Sequence, residues 1–600
     1  MCIRDRVEHF DYDAAGNRTQ RIDFNGASSS FEYDSNNWRT RESYADGQVV
    51  VTTYTPTGLV ASVLDPRGTT QYSHDARDRV TGIDYPNGES IQHSYDAAGN
   101  RTGYTSASGT VSTTFDAANR RQSVTDAQGT THYSYDAVGN TVRIDHSNGS
   151  RTETDYDQRN RPIEVRALSA TGVLLNRQRY TLDAAGQRLA IEDLDGRHVD
   201  YGYDPLNRLI RATVTDTARG NSETIWSYDS VGNRQTQIRC TPRCGQGGHE
   251  VLTQYSYDAN DRLLSQDQAG ALSTWSYDPN GNTLQATGPQ GLTTYSYGSR
   301  DRLIGATTPV HTLAFEYDHD GIRHSKTVNG QRIDYVIDPL RDYAQVTDVL
   351  DAGGNVLASY TYGNDLLTQH SSGYSHVFHY DALGTTRALT DATGELADSY
   401  LYESFGGLLE QTGSTDNVYL YAGEQFDQDL GLYYLRARYM DSGVGRLTQM
   451  DTFQGVRGRP ITLNKYVYAN SDAVNWLDPS GHLSMTGVLT GVGLLGVGAA
   501  ISTANYSGFV NGGEGDSRRS SAADVTDGMD FVATANAKAI QAVAVILAAQ
   551  SYLNRPEGHH TIPKYLCGAK KQVLSAIPHP LHVVLPVSYT HLTLPTIYSV

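Results

Sequence analysis

One short pattern, recurring along most of this chain, constrains its fold more than any other feature. The unit reads Y-[ST]-Y-D-x-x-G-N-R-[LT], followed by a polar strand, a turn and a T-x-Y strand. Clear copies are Tyr12-Asp13-Ala14-Ala15-Gly16-Asn17-Arg18, Tyr95-Asp96-Ala97-Ala98-Gly99-Asn100-Arg101 and Tyr228-Asp229-Ser230-Val231-Gly232-Asn233-Arg234. Others begin at Tyr135, Tyr203, Tyr257, Tyr277 and Tyr317. Tyrosines 257, 277, 297 and 317 fall twenty residues apart, and Tyr95, Phe115 and Tyr135 keep the same spacing. The alternation of Tyr-Ser-Tyr places the rings on one face of a strand. Asp-x-x-Gly-Asn is turn chemistry: Asp accepts from backbone amides two residues on, and Gly or Asn tolerates positive φ. A twenty-residue period therefore predicts one hairpin of two short strands and two turns. Lone hairpins are marginal, so they must stack into a continuous sheet. A long sheet twists and coils, which predicts a coiled or closed shell; a solid β-solenoid or sandwich array is the alternative. The aspartates lack the dense D-x-D-x-D-G spacing of a calcium loop and read as turn caps.

Composition agrees with strands and tight turns. The 600 residues include 58 Gly and 41 Tyr, with only 11 Phe and 5 Met. The net charge of -19 excludes a surface that coats nucleic acid, which should be basic. It leaves room for a small nuclease within the larger chain. Four Cys are too few for a disulfide scaffold. Cys240 and Cys244 lie in RCTPRCGQG and allow a small disulfide loop, a free buried pair or half a zinc site; Cys567 reads as a packing residue. MCIRDR and VSYTHLTLPT reverse-translate to the two strands of a transposase sequencing adapter. Residues 1–6 and 587–600 are therefore expected to be adapter-derived, with Pro586 sharing a codon with the second, and the chain is expected to be shortened at both ends.

These repeats resemble the Rhs/YD-repeat family, which includes insecticidal-complex C components and the shells of teneurins. The resemblance implies that 7–400 wrap as a β-strand spiral into a hollow cocoon. From about residue 400 the period breaks. Gly423-Glu424-Gln425, Gly431-Leu432-Tyr433-Tyr434, Arg436-Ala437-Arg438-Tyr439, Gly445-Arg446, Asn464-Lys465-Tyr466-Val467-Tyr468-Ala469-Asn470 and Asp478-Pro479-Ser480-Gly481 are similar to the Rhs-associated core. That assigns 401–481 to a segment that turns inward and plugs the shell. Some relatives cut themselves just after D-P-x-G-L with a pair of aspartates. The matching positions are Asp451 and Asp478, where two close carboxylates sharing one proton would divide the base and acid roles. This chain departs from the cleaving pattern: Asp451 lies in Met-Asp-Thr-Phe-Gln-Gly, Arg-Pro-Ile-Thr stands between the aspartates, and His482 occupies the place of the Leu. The alternative is that Asp478-Pro479-Ser480-Gly481 only ends the core.

The composition changes after Gly481. Leu483–Ser502 is apolar and Gly-rich, long enough to touch or span a bilayer, or to pack as a linker inside the shell. Residues 511–521 read as a polar loop and 532–553 as an Ala-rich helix, so 482–555 form a linker and helix. The stretch at 556–586 carries His559, His560, His579 and His582. Its G-H-H opening resembles toxins of the HNH/endonuclease VII-like superfamily. The resemblance implies His559 and His582 as ligands of a divalent metal, Mg or Zn, and His560 as general base. A later His at 586 falls where the adapter begins, and the Asn usual between the His elements is not evident. This chain as it stands is therefore expected to show little or no nuclease activity.

The fold class expected is mainly β, a spiral sheet or hollow shell of YD hairpins with a short helical, α+β toxin fragment at the C-terminus. The function expected is a secreted or cell-surface bacterial polymorphic toxin, its shell holding a nuclease-like effector for interbacterial competition. Its implied partners are delivery machinery, a cognate immunity protein and the target cell's nucleic acid. The rivals are a wall-associated adhesive YD-repeat protein without an enzyme, and an insecticidal-complex shell with another effector.

Overall fold

The computed structural model describes residues 7–371, 373–455 and 460–482, and the backbone of 485–486. The chain divides into two units, Met1–Leu494 and Leu495–Val600, and all described residues belong to the first.

The first unit is built on one 38-stranded antiparallel sheet. It runs from His9–Tyr12 to Leu408–Thr412, each strand pairing with the next in sequence. The repeat explains the geometry residue by residue. In the first copy the Asp13 carboxylate accepts from the Ala15 and Asn17 amides at 2.9 and 2.8 Å, and from Asn17 Nδ2 at 2.9 Å. The same three bonds recur at Asp136, with Val138 and Asn140. Where Arg replaces the Asn, as in Asp157-Gln158-Arg159-Asn160-Arg161, its guanidinium takes the place of the amide. The residue three after the Asp sits at positive φ: Gly16 at 88°, Asn37 at 63°, Asp78 at 62°. Gly, Asn and Asp are the residues that tolerate this region.

The tyrosine that opens each such turn, before Asp or, at Tyr54, before Thr55, ties neighbouring hairpins together. Tyr33, Tyr54, Tyr95 and Tyr135 each donate a hydroxyl hydrogen bond to a backbone carbonyl fourteen or fifteen residues earlier, at 2.6–3.0 Å. At the same tyrosines the pairing register slips by one residue. A bulge bends its strand and increases the local twist, so a bulge once per hairpin coils the ribbon.

The coil closes on itself after roughly 250 residues, edge against edge. Asn280 Nδ2 donates to Asp23 Oδ2 at 2.9 Å across 257 residues. Asp46 and Ser299 exchange backbone amides and side-chain oxygens across 253. Tyr104 donates to the Tyr360 carbonyl across 256. In the first two of these contacts, a turn opposite the YD edge of one coil docks on a YD-type turn of the next, so each edge covers the other's polar groups. Farther along the offset falls to 194 residues at Arg387–Asp193 and 164 at Arg239–Glu403, so the coil narrows. Cys240 and Cys244 are joined by a disulfide.

After Thr412 the chain leaves the spiral and forms a four-stranded sheet: Gln425–Asp427, Leu432–Leu435, Arg438–Asp441 and Arg446–Leu447. Tyr433, Tyr439, Tyr466 and Tyr468 are fully buried here. This segment packs against many spiral hairpins at once. Tyr466 donates to the Gly281 carbonyl, Arg446 to Asn233 and the Asp261 carbonyl, and Arg188 of the spiral to the Val474 carbonyl. Arg323 of the spiral binds Asp427 and Gln425 and lies over the Tyr434 ring, 4.1 Å from its centroid. No helix among the described residues is long and apolar enough to cross a membrane; residues 483–502, read as a membrane or linker segment, lie outside them save for the backbone of 485–486.

Candidate functional site

Asp451 and Asp478, 27 residues apart in sequence, meet at one guanidinium. Arg438 Nη2 lies 2.9 Å from Asp451 Oδ2 and 3.4 Å from Asp478 Oδ2. Arg438 is supplied by the third strand of the core sheet; its Nε also donates to the Gly481 carbonyl, and its Nη1 to the Lys465 carbonyl at 3.0 Å. All these groups are buried or nearly so: Asp478 is 2% exposed and Arg438 4%.

The three residues Arg436-Ala437-Arg438 form an arch over the end of the core. Arg436 Nη1 donates to the Pro479 carbonyl at 2.6 Å, the Ala437 amide to Ser480 at 3.4 Å, and Arg438 to Gly481. Three successive residues thus grip three successive carbonyls. The arch needs Arg436 at φ 63° and Gly481 at φ 72°. A Cβ on Gly481 would sit 2.5 Å from the Leu435 carbonyl oxygen, so only glycine fits there. Arg436 also pairs with Glu424 at 2.7 Å. Burial raises the Glu424 carboxyl to about 7, and the neighbouring guanidinium opposes that rise.

His482 completes the cluster. Its Nδ1 lies 3.0 Å from Asp451 Oδ1, and its backbone amide donates to Asp478 Oδ1 at 3.0 Å. Burial alone would raise the Asp451 carboxyl; Arg438, and then His482, hold it below the usual carboxylate range. Burial lowers the His482 imidazole to about 4, against the pull of Asp451. At neutral pH the ring is therefore neutral, and because ionised Asp451 only accepts, Nδ1 carries the proton. Lys465, whose Nζ donates to the Phe453 carbonyl, adds a further cation near Asp451.

The sequence pointed to the two aspartates but not to the arginine between them. Arg436 and Arg438 stood in the quoted core motif without a role, and two arginines flanking one alanine were the signal available. His482 was noted only as a departure. The two carboxylates face a common cation, Arg438. His559, His560 and His582 lie outside the described residues, and no group of three or more His, Cys, Asp or Glu among those described is arranged to hold a metal ion. The YD aspartates are turn caps, as their spacing predicts.

Comparisons with known proteins agree with this architecture. The teneurin YD-shell family profile matches residues 213–335 and 312–474, and the RHS-repeat profile matches 12–49, 54–90 and 95–131. The tRNA3(Ser)-specific nuclease WapA of Bacillus spizizenii is 37% identical over 174 residues, covering 28% of this chain and 7% of that protein. The double-stranded DNA deaminase toxin A of Burkholderia cenocepacia is 34% identical over 110 residues, covering 17% of this chain and 7% of its own. The crystal structure of TcdB2-TccC3-TEV superposes with a TM-score of 0.66 at 17% identity, over 80% of this chain and 28% of that one. The chain thus spans less than a tenth of either curated relative. Repeat pattern, coiled sheet and profiles converge: this chain carries RHS repeats within 12–131 and a YD-shell over 213–474.

Proposed function

We propose that this chain is the shell and core plug of a polymorphic toxin that encloses and delivers a C-terminal effector. The observation that carries this reading is the arch at 436–438. It fixes the chain where it leaves the core, at Asp478–His482, so that whatever follows is attached to the shell at a defined and rigidly held point. The spiral's edges are covered by its own next coil, which suits a closed container better than a surface that recruits other strands. The two relatives named above carry different chemistries in their names, so a likeness in the shell does not choose the effector.

For the effector the reading is a metal-dependent nuclease at 556–586. His559 and His582 would hold a divalent ion that polarises the phosphoryl group, and His560 would take a proton from water. Its targets would be the nucleic acid of a competing cell, with an immunity protein guarding the producer. The test is cleavage of plasmid and of RNA, with and without Mg²⁺ or Zn²⁺, by the protein carrying genomic sequence past Leu585, beside His560→Ala. Metal-dependent cleavage lost in the variant supports the nuclease. Failure to cleave either substrate by a folded, metal-loaded protein moves the effector to another chemistry or leaves an adhesive shell.

The carboxylate pair is also the candidate for self-cleavage after the core. Water would give a proton to one ionised carboxylate as its oxygen attacks the carbonyl carbon, and the amide nitrogen would take a proton from the other, protonated carboxyl as the C–N bond breaks.

A further inference from the structure

We propose that His482 is the pin of this junction, a positioning residue whose bond to Asp451 holds the aspartate pair in a form that retains the chain and does not cut it. The inference rests on the self-cleavage reading above.

The geometry is specific. Cutting requires one carboxylate with an oxygen open to accept a proton from water. Asp451 has neither oxygen open: Oδ2 faces Arg438 at 2.9 Å, and Oδ1 accepts from the Phe453 amide at 2.9 Å and faces the imidazole at 3.0 Å. Asp478 faces Arg438 with Oδ2, while Oδ1 accepts from the His482 amide at 3.0 Å and from Ser480 Oγ at 3.3 Å. His482 thus touches both carboxylates, one through its ring and one through its backbone. Its side chain closes a loop of 31 residues between Asp451 and the point where the chain leaves the core. The other charged groups facing it are Arg438 and Arg302, which donates to the Ala437 carbonyl on the same arch. A leucine at 482 has no donor. It would leave Asp451 Oδ1 with the Phe453 amide alone, freeing the lone pair that faces the ring, while the backbone bond to Asp478 and the grip of the arch persist. An asparagine keeps a donor on a short side chain and should preserve the pin.

The experiment compares full-length wild type, His482→Leu, His482→Asn and His482→Leu/Asp451→Asn at pH 7. Intact-mass spectrometry reads self-cleavage and brief trypsin treatment reads release of the chain after residue 482. The expected result is an intact wild type and His482→Asn, and a His482→Leu protein cut after residue 482, with the double variant intact. If His482→Leu stays uncut but its downstream chain becomes several-fold more sensitive to trypsin, the pin stands and the self-cleavage reading falls. If wild type is cut as fast as His482→Leu, or if His482→Leu is uncut with trypsin sensitivity unchanged, the pin is overturned.

Discussion

Mild acid should loosen the seam between successive coils at a defined place. His146 of one coil and His379 of the next stack edge to face with ring centroids 5.0 Å apart. Their partners are hydroxyls: His146 Nε2 and His379 Nδ1 each lie 3.0 Å from Thr152 Oγ1, and His379 Nε2 lies 3.1 Å from Thr390 and 3.4 Å from Ser150. No carboxylate contributes to the shift of either ring, so a proton on one would be uncompensated and would face the other ring. Burial lowers His146 to about 3, and burial with the neighbouring ring takes His379 well below its ordinary value. When the seam opens, both rings regain a pKa near 6.5. The open state therefore binds protons first. The stability that neutral rings confer is present above about pH 6.5 and is lost as pH falls toward the folded values. At pH 5 the loss is about 2 kcal/mol for each ring that titrates independently, from the ratio of protonated to neutral imidazole in the open state. Hydrogen exchange of peptides covering 146–152 and 376–390, corrected for intrinsic rates, measures it as protection between pH 8 and 5. Protection should fall by about 2–4 kcal/mol in wild type and by roughly half as much in His146→Asn. A seam equally protected at both pH values, or a loss undiminished in a His146→Asn/His379→Asn protein, would refute the argument.

Other perturbations test the remaining links. Asn140→Ala removes a buried amide that donates to Asp136 at 2.8 Å and to Asn160 at 3.0 Å; protection of the 136–140 turn should fall by about 2 kcal/mol by hydrogen exchange, and equal exchange in wild type would count against the cap. Tyr95→Phe deletes the 2.7 Å bond to the Val80 carbonyl and should cost about 1 kcal/mol locally, leaving hairpins several repeats away unchanged. Asp427→Asn leaves buried Arg323 and Lys326 without their shared anion. It should cost about 3–5 kcal/mol in denaturant and release the core before the spiral. Cys244→Ser opens a very short disulfide loop; the expected loss is about 2 kcal/mol, confined to the 240–249 turn, and reduction of wild type should reproduce it.

Most of the hairpin was legible because its determinants are local. Tyr, Asp and the Gly or Asn three residues after the Asp each act within one turn or on the adjacent hairpin, and the twenty-residue spacing counts strand and turn lengths directly. The bulge at each tyrosine was not legible, since a one-residue slip leaves no mark in an alternation already interrupted by a turn. The coil's closure was not legible either. Asp23 and Asn280 look like ordinary turn residues, and nothing in their own repeats says that they meet across 257 positions.

The same contrast explains the candidate site. Asp451 and Asp478 are legible because they match the pattern of the Rhs-associated core, whereas Arg438 is defined by what converges on it: two carboxylates, the Lys465 carbonyl and the Gly481 carbonyl. A single buried cation compensating two buried anions is costly to assemble unless every donor is used, and here each guanidinium nitrogen has an acceptor. That full use is what makes the arch a rigid holder. It also changes how the aspartates should be read, because a pair neutralised by a fixed arginine resists taking up the shared proton that cutting needs. Holding and cutting are thus opposed states of one cluster, and the residue best placed to bias them is the one whose ring and backbone touch both carboxylates, His482.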